Sequence, residues 1–255
     1  MSTPKRAPQA RSAQRRQDIV QASLESFFRL GYEATSVNSI IASLGISKGS
    51  FYHHFSGKEG VLNAALESQL ELATKRMNLA LADPAMTGVD LLNLALAAAW
   101  QEPGTSQAGM AQTTIALLKP DNATILNKLI AIERRVAEQI ATKIITRGMT
   151  DGSFVVEDPA IASNALYSTT VGVLLDTFRA LLGGQIDAQM SKNRLRFLYQ
   201  SMERILGAPV GSLVGGLAET LQLFDTLERS IHLPTHRAAT TKPAHDIQHA
   251  TSQQN

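Results

Sequence analysis

Residues 35–58 read TSVNSIIASLGISKGSFYHHFSGK. Val37, Ile40, Ile41 and Leu44 stand at i, i+3, i+4 and i+7, one apolar stripe of a short helix. Thr35 or Ser36 is its N-cap, because a hydroxyl there accepts from an unpaired amide of the first turn. Gly45 closes the helix, where a left-handed residue is least strained as glycine. Ile46 is apolar, and Ser47 caps a second short helix that buries Phe51 and Phe55, four residues apart. Two short amphipathic helices joined through a glycine turn are the sequence form of a helix-turn-helix.

The other faces of the second helix carry Lys48, Gly49, Ser50, Tyr52, His53 and His54, with no acid among them. A surface pressed against phosphates tolerates hydroxyls, imidazoles, a lysine and bare backbone, but not carboxylates. Gly49 allows close approach of the main chain, and Tyr52 and Lys58 have the reach and the donors for phosphate oxygens.

Upstream, Ile19, Val20, Leu24, Phe27 and Phe28 share one helical stripe that ends at Gly31. Residues 1–14, rich in Pro, Ala, Gln, Ser and Arg without periodicity, predict a disordered basic arm. Downstream, Ser56 to Glu59 has the form of a capping box for a long helix from about Gly57 to about Leu81. Helical patterns then cover Val89–Trp100, Gln107–Leu118 and a long stretch opened by Pro120-Asp121 and closed by Gly148. Residues 150–156 look irregular or extended. Asp158 and Pro159 open a helix stopped by Gly183-Gly184, and the next runs over 188–206. Leu213, Leu217, Leu221, Phe224 and Leu227 form a possible last helix within 208–232, and the polar 233–255 predicts a disordered tail.

The chain is thus expected to be all-α over its 255 residues, with nine or ten helices. The arm 1–14 precedes a three-helix DNA-binding domain at 15–60 and a helical body at 61–207. Hydrophobic residues make up 44% and aromatics 5%, so the core must be large and mainly aliphatic. Cysteine is absent, which removes disulfides, zinc fingers and thiol nucleophiles. Residues 1–60 carry a net charge of +4 and the remainder −2, so an anionic partner is expected at the front of the chain. The arginines near the start precede no signal-like apolar run, and no window reaches the roughly 20 apolar residues of a membrane span. These features predict a soluble, cytoplasmic protein.

Gly-Tyr-Glu-Ala-Thr-Ser-Val at 31–37, Leu-Gly-Ile-Ser-Lys-Gly-Ser-Phe-Tyr-His-His-Phe at 44–55, and Lys58-Glu59 together resemble the DNA-binding domain of the TetR family of transcriptional regulators. The likeness covers roughly residues 15–62 and requires many fixed spacings to coincide. It implies that Thr35 or Ser36 anchors a phosphate and that Asn38 reaches a base or phosphate. It implies that Ser47, Lys48, Gly49 and Ser50 meet base edges, that Tyr52, His53 and His54 contact backbone or bases, and that Lys58 pairs with a phosphate. Lys48 suits guanine and Asn38 suits adenine. The basic residues 5–16 add a salt-sensitive, sequence-blind attraction or follow the minor groove.

The same resemblance implies a ligand-binding and dimerisation body, a homodimer formed through 159–182 and 188–206, and a palindromic double-stranded operator. A small-molecule effector that releases a repressor by population shift is the mechanism it implies. Met86, Trp100, Met110, Phe154, Tyr167, Asp176 and Phe178 are the candidate pocket wall, although methionines and aromatics at helical spacing also suit an ordinary core. No cofactor, metal or catalytic centre is expected. The histidine pairs 232/236 and 245/249 have metal-ligand spacing without accompanying carboxylates, and no phosphate-cradling loop or nucleophile elbow occurs. The alternative function is a helical protein-interaction module without specific DNA binding.

Overall fold

The computed structural model describes residues 8–98 and 106–232. Among these the secondary structure is ten α-helices and one 3₁₀ turn, with no strand. The helices are α1 (Pro8–Leu30), α2 (Val37–Leu44), α3 (Lys48–His54), α4 (Lys58–Leu81), α5 (Gly88–Ala98), α6 (Gln107–Leu117), α7 (Ala123–Asp151), α8 (Pro159–Leu182), α9 (Ala188–Leu206) and α10 (Leu217–His232). The 3₁₀ turn, Pro120–Asn122, joins α6 to α7.

Two apolar cores form. In the first, Ile19 and Phe27 of α1, Ile40 of α2, Phe51 and Phe55 around α3, and Val61, Leu62 and Leu66 of α4 are buried together with Ile125 of α7. In the second, Met77 of α4 meets Leu91, Ile144, Ile145, Phe154, Leu166, Phe178, Leu195 and Phe224. Helix α4 therefore crosses from one core to the other, and the first turns of α7 close the first core. The division expected at 60/61 is not a boundary in packing, because Val61–Leu66 belong with the front three helices. Behind them α7 packs on α4, α5 and α8, α9 packs on α8, and α10 covers α9 and α6.

Several local expectations are corrected. Helix α1 already begins at Pro8, inside the stretch 1–14 read as an arm. Proline suits a first turn, and the Ala, Arg and Gln that follow favour the helix. Residues 1–7 and 233–255 lie outside the described residues. The capping box at Ser56–Glu59 does not form: Gly57 is the cap without a side-chain bond, and Glu59 instead pairs with Lys128 of α7. Gly148 does not end α7, which continues to Asp151 and closes at Gly152 with φ +80°. Gly148 is there because a Cβ would overlap the Phe154 ring, and Phe154 N donates back to Gly148 O at 3.0 Å. The start of the segment expected to be extended is therefore helix.

Candidate nucleic-acid interface

Helix α2 starts at Ser36, not Thr35. Ser36 Oγ accepts from Ser39 N at 3.0 Å, and Ser39 Oγ accepts from Ser36 N at 3.2 Å. Gly45 takes φ +60° and turns the chain, as a left-handed C-cap requires. Ser47 Oγ then accepts from Ser50 N at 3.1 Å and starts α3. Phe51 and Phe55 face inward with ring centroids 6.1 Å apart and are buried.

That orientation sets what the opposite face presents. Lys48, Gly49, Tyr52 and His53 are exposed on α3, with Ser50 and His54 partly so, and Asn38 is exposed on α2. Tyr52 is 55% exposed although its ring meets Phe51 edge-on at 5.4 Å. No carboxylate lies on either helix. The acids that flank the two helices in sequence have partners elsewhere: Glu33 accepts from Thr124 Oγ1 at 2.9 Å, and Glu59 pairs with Lys128. The Lys128 partnership holds the Glu59 carboxyl below its ordinary range.

Helix α1 adds cations to the same end. The Arg16 guanidinium sits 5.1 Å from the centroid of the Phe55 ring. His53 and His54 meet edge to face at 4.9 Å. The His54 imidazole is held below its ordinary range by burial, by His53, and by Arg16 and Arg15. Arg15 and Arg16 therefore flank the recognition helix from α1, within the 15–60 domain expected from the sequence. The signal was available in sequence, since both arginines fall within one helical turn of buried Ile19.

Two residues do not take the positions implied for them. Thr35 is 2% exposed, and its hydroxyl lies 2.8 Å from Gly31 O and 3.3 Å from Ser26 O. It secures the α1–α2 turn and offers nothing to a phosphate. Lys58 Nζ donates to Tyr32 O at 2.8 Å, lies 4.3 Å from the Tyr32 ring centroid and 3.6 Å from a Glu33 carboxylate oxygen. Its charge fastens the start of α4 to that turn instead of facing outward. The remaining residues, Ser36, Asn38, Ser47, Lys48, Gly49, Ser50, Tyr52, His53 and His54, are all exposed or partly exposed on α2, α3 and their caps.

The body distributes the pocket candidates differently. Phe154 and Phe178 are buried core residues, and Phe178 meets Phe224 at 5.3 Å. Met86 and Met110 pack against the same core. Asp176 is exposed on α8, because the inward stripe of that helix passes through Thr177 and Phe178. Trp100 lies outside the described residues. Tyr167 donates from its hydroxyl to Ile130 O at 2.9 Å, and burial with the neighbouring Glu133 pushes it up to about 12. Glu133, missed in the sequence because one acid on a long helix carries no signal, is itself pushed up by burial to about 7. An open groove of about 630 Å³ between α4 and α7 is lined by Leu70, Thr74, Leu79, Ile132 and Val136, with Glu67, Glu71, Lys75 and Arg135 also on its wall. None of the pocket candidates lines it. Among the described residues no group of three or more metal-ligating side chains gathers. No helix among them is long and apolar enough to cross a membrane.

A glycine-turned helix pair with an acid-free outer face, mounted on a helical body, defines a helix-turn-helix transcriptional regulator. The family model for bacterial regulatory proteins of the tetR family matches residues 19–65. The HTH-type transcriptional repressor KstR2 of Mycolicibacterium smegmatis is 30% identical over 144 residues, 56% of this chain and 68% of that protein. The uncharacterized HTH-type regulator YerO of Bacillus subtilis is 34% identical over 64 residues, 25% of this chain and 22% of that protein. In three dimensions the SmeT–triclosan complex aligns with a TM-score of 0.58 at 22% identity, over 79% of this chain and 95% of that one. Reduced E. coli NemR aligns with a TM-score of 0.52 at 18% identity, over 77% of this chain and all of that one. These two likenesses show the all-α fold. The chain belongs to the tetR family of bacterial regulatory proteins.

Proposed function

We propose that the protein is a repressor that occupies a palindromic operator as a homodimer and leaves it when a small molecule binds the body. The observation that carries this reading is the acid-free face of α2 and α3, where Asn38, Lys48, Tyr52 and His53 are exposed together above the buried Phe51 and Phe55. Lysine recognises guanine and asparagine recognises adenine in the major groove, while tyrosine and serine hydroxyls fix the backbone. The M. smegmatis relative is named a repressor and supports the direction of control.

Dimerisation is supported by α8 and α9. Ile161 on α8 is 70% exposed, and Met190 and Phe197 on α9 are 50% and 60% exposed. Gly172 and Ser168 lie on the outer side of α8, where small side chains let a second helix come close. One recognition helix reads few base pairs, and two copies set about 34–36 Å apart read successive major grooves. Effector binding is proposed at Tyr167 and Glu133, a polar pair within the apolar body. The site of action is the cytoplasm, where the operator lies.

Selection from a random duplex pool tests the reading. A recovered inverted repeat, bound steeply less well as salt rises, is the expected result. No preference for any duplex in dilute buffer refutes it, and an exclusively non-palindromic site refutes the dimer.

A further inference from the structure

The connector between α1 and α2, residues 31–35, sets where the helix-turn-helix begins, because Ser36 caps α2 immediately after it. One fully buried side chain of the body reaches the main chain of this connector. Asn122, the last residue of the 3₁₀ turn between α6 and α7, is fully buried. Its Oδ1 accepts from Tyr32 N at 3.0 Å, and its Nδ2 donates to Ala116 O in the last turn of α6 at 2.8 Å. Its own backbone N donates to Lys119 O at 2.9 Å, which fixes the side chain's origin. An amide is suited to this place because it offers an acceptor and a donor on one planar group.

The surroundings leave little slack. Gly31 takes φ +94°, and a Cβ there would stand 2.9 Å from Asp121 Cβ, so the two turns are in close contact. Thr124 at the start of α7 donates to the Glu33 carboxylate at 2.9 Å. From the other side Lys58 of α4 donates to Tyr32 O at 2.8 Å. The two faces of one residue, Tyr32, thus report two elements: its N–H reads the α6–α7 corner and its C=O reads α4.

We propose that Asn122 is a positioning residue through which the end of α6 sets the pitch of the helix-turn-helix, by a route separate from the Lys58 contact of α4. A shift of the last turn of α6 carries Ala116 O with it. The amide must then follow and draw on Tyr32 N, or release it; either moves the start of α2. This inference rests on the DNA-binding reading only for its consequence at an operator; the mechanical link stands on the contacts alone.

The test is amide hydrogen exchange on the full chain, paired with titration of the selected duplex. Asn122→Leu removes both arms, and exchange over 31–44 should accelerate at least tenfold while α8 and α9 keep their protection. Asn122→Asp keeps an acceptor for Tyr32 N and loses the donor to Ala116 O. It should loosen residues 113–118 and leave the Tyr32 amide slow, a split that a merely structural role does not produce. Asn122→Ser, milder in volume, should repeat the leucine pattern if that variant fails to fold. Affinity for the duplex should fall about tenfold in the leucine variant at temperatures where it is fully folded. Uniform acceleration across both cores, or unchanged exchange at 31–44, overturns the proposal. If the exchange pattern is as expected while the wild type binds no duplex, the link is upheld and the DNA-binding reading falls.

Discussion

Glu133 is a carboxyl held in surroundings that oppose its charge. Burial raises its carboxyl from an ordinary 4.5 to about 7, so the folded chain holds a proton there that the unfolded chain releases. A group raised on folding contributes its stability below the unfolded value and loses it as pH rises through the folded one. Stability should therefore decline between about pH 4.5 and pH 7, by up to about 3 kcal/mol from this group. Glu133→Gln should flatten that decline; thermal melts of both proteins at pH 5 and pH 8 check it, and equal gains at both values contradict it. On the proposed reading surface, residues are expected to divide into base readers and backbone contacts. Lys48→Ala or Asn38→Ala should relax preference at one operator position at a cost of about 1–3 kcal/mol. Tyr52→Ala should weaken all operators alike, the result expected of the backbone contact proposed for its exposed hydroxyl. Competition titrations against single-base operator variants separate the two patterns. Thr35 and Lys58 had the donors for a phosphate, yet their hydrogen bonds go to main-chain oxygens of the turn they brace. Residue type alone cannot tell an outward donor from one satisfied inside.

The elements are set by periodicity and caps wherever the partners are near in sequence. Helix α2 ends at Gly45, α9 at Gly207 with φ +60°, and α8 starts from Asp158 and Pro159, all as local chemistry dictates. Helix α7 departs from this, because Gly148 is a contact and not a stop. Gly88 packs against it, and Phe154 lies on it from the chain that follows. Gly148→Ala should force that ring aside, costing about 1–3 kcal/mol as an overpacked core does. A melting temperature lower by several degrees is the expected reading, and an unchanged one would mean Phe154 moves freely. The connector after α9 is held in a similar long-range manner. Asn93 of α5 donates to Ser212 O at 2.8 Å and accepts from Val214 N and Gly215 N at 2.8 Å each, which delays α10 to Leu217.

At the scale of the molecule, the dimer proposed above rests on the exposed apolar residues of α8 and α9, Ile161, Met190 and Phe197. Phe197→Asp should convert a dimer into a monomer in sedimentation at micromolar concentration, and operator affinity should fall with it because the second half-site is lost. A dimer of unchanged stability would place the interface elsewhere. The helix-turn-helix and the all-helical class were readable from the chain itself, since the residues that decide them lie within four to twenty positions of one another. Helical stripes, serine caps and glycine ends act through the nearest turn of backbone, and the absence of acids on α2 and α3 is a matter of spelling. What the tertiary structure alone decided is which of those residues face outward and how the reader is tied to the body. Glu133 meets Tyr167 from another helix, and Asn122 meets Tyr32 across 90 positions. Pairings at that separation leave no period in the chain, because their cost and their gain arise only when distant helices are brought together.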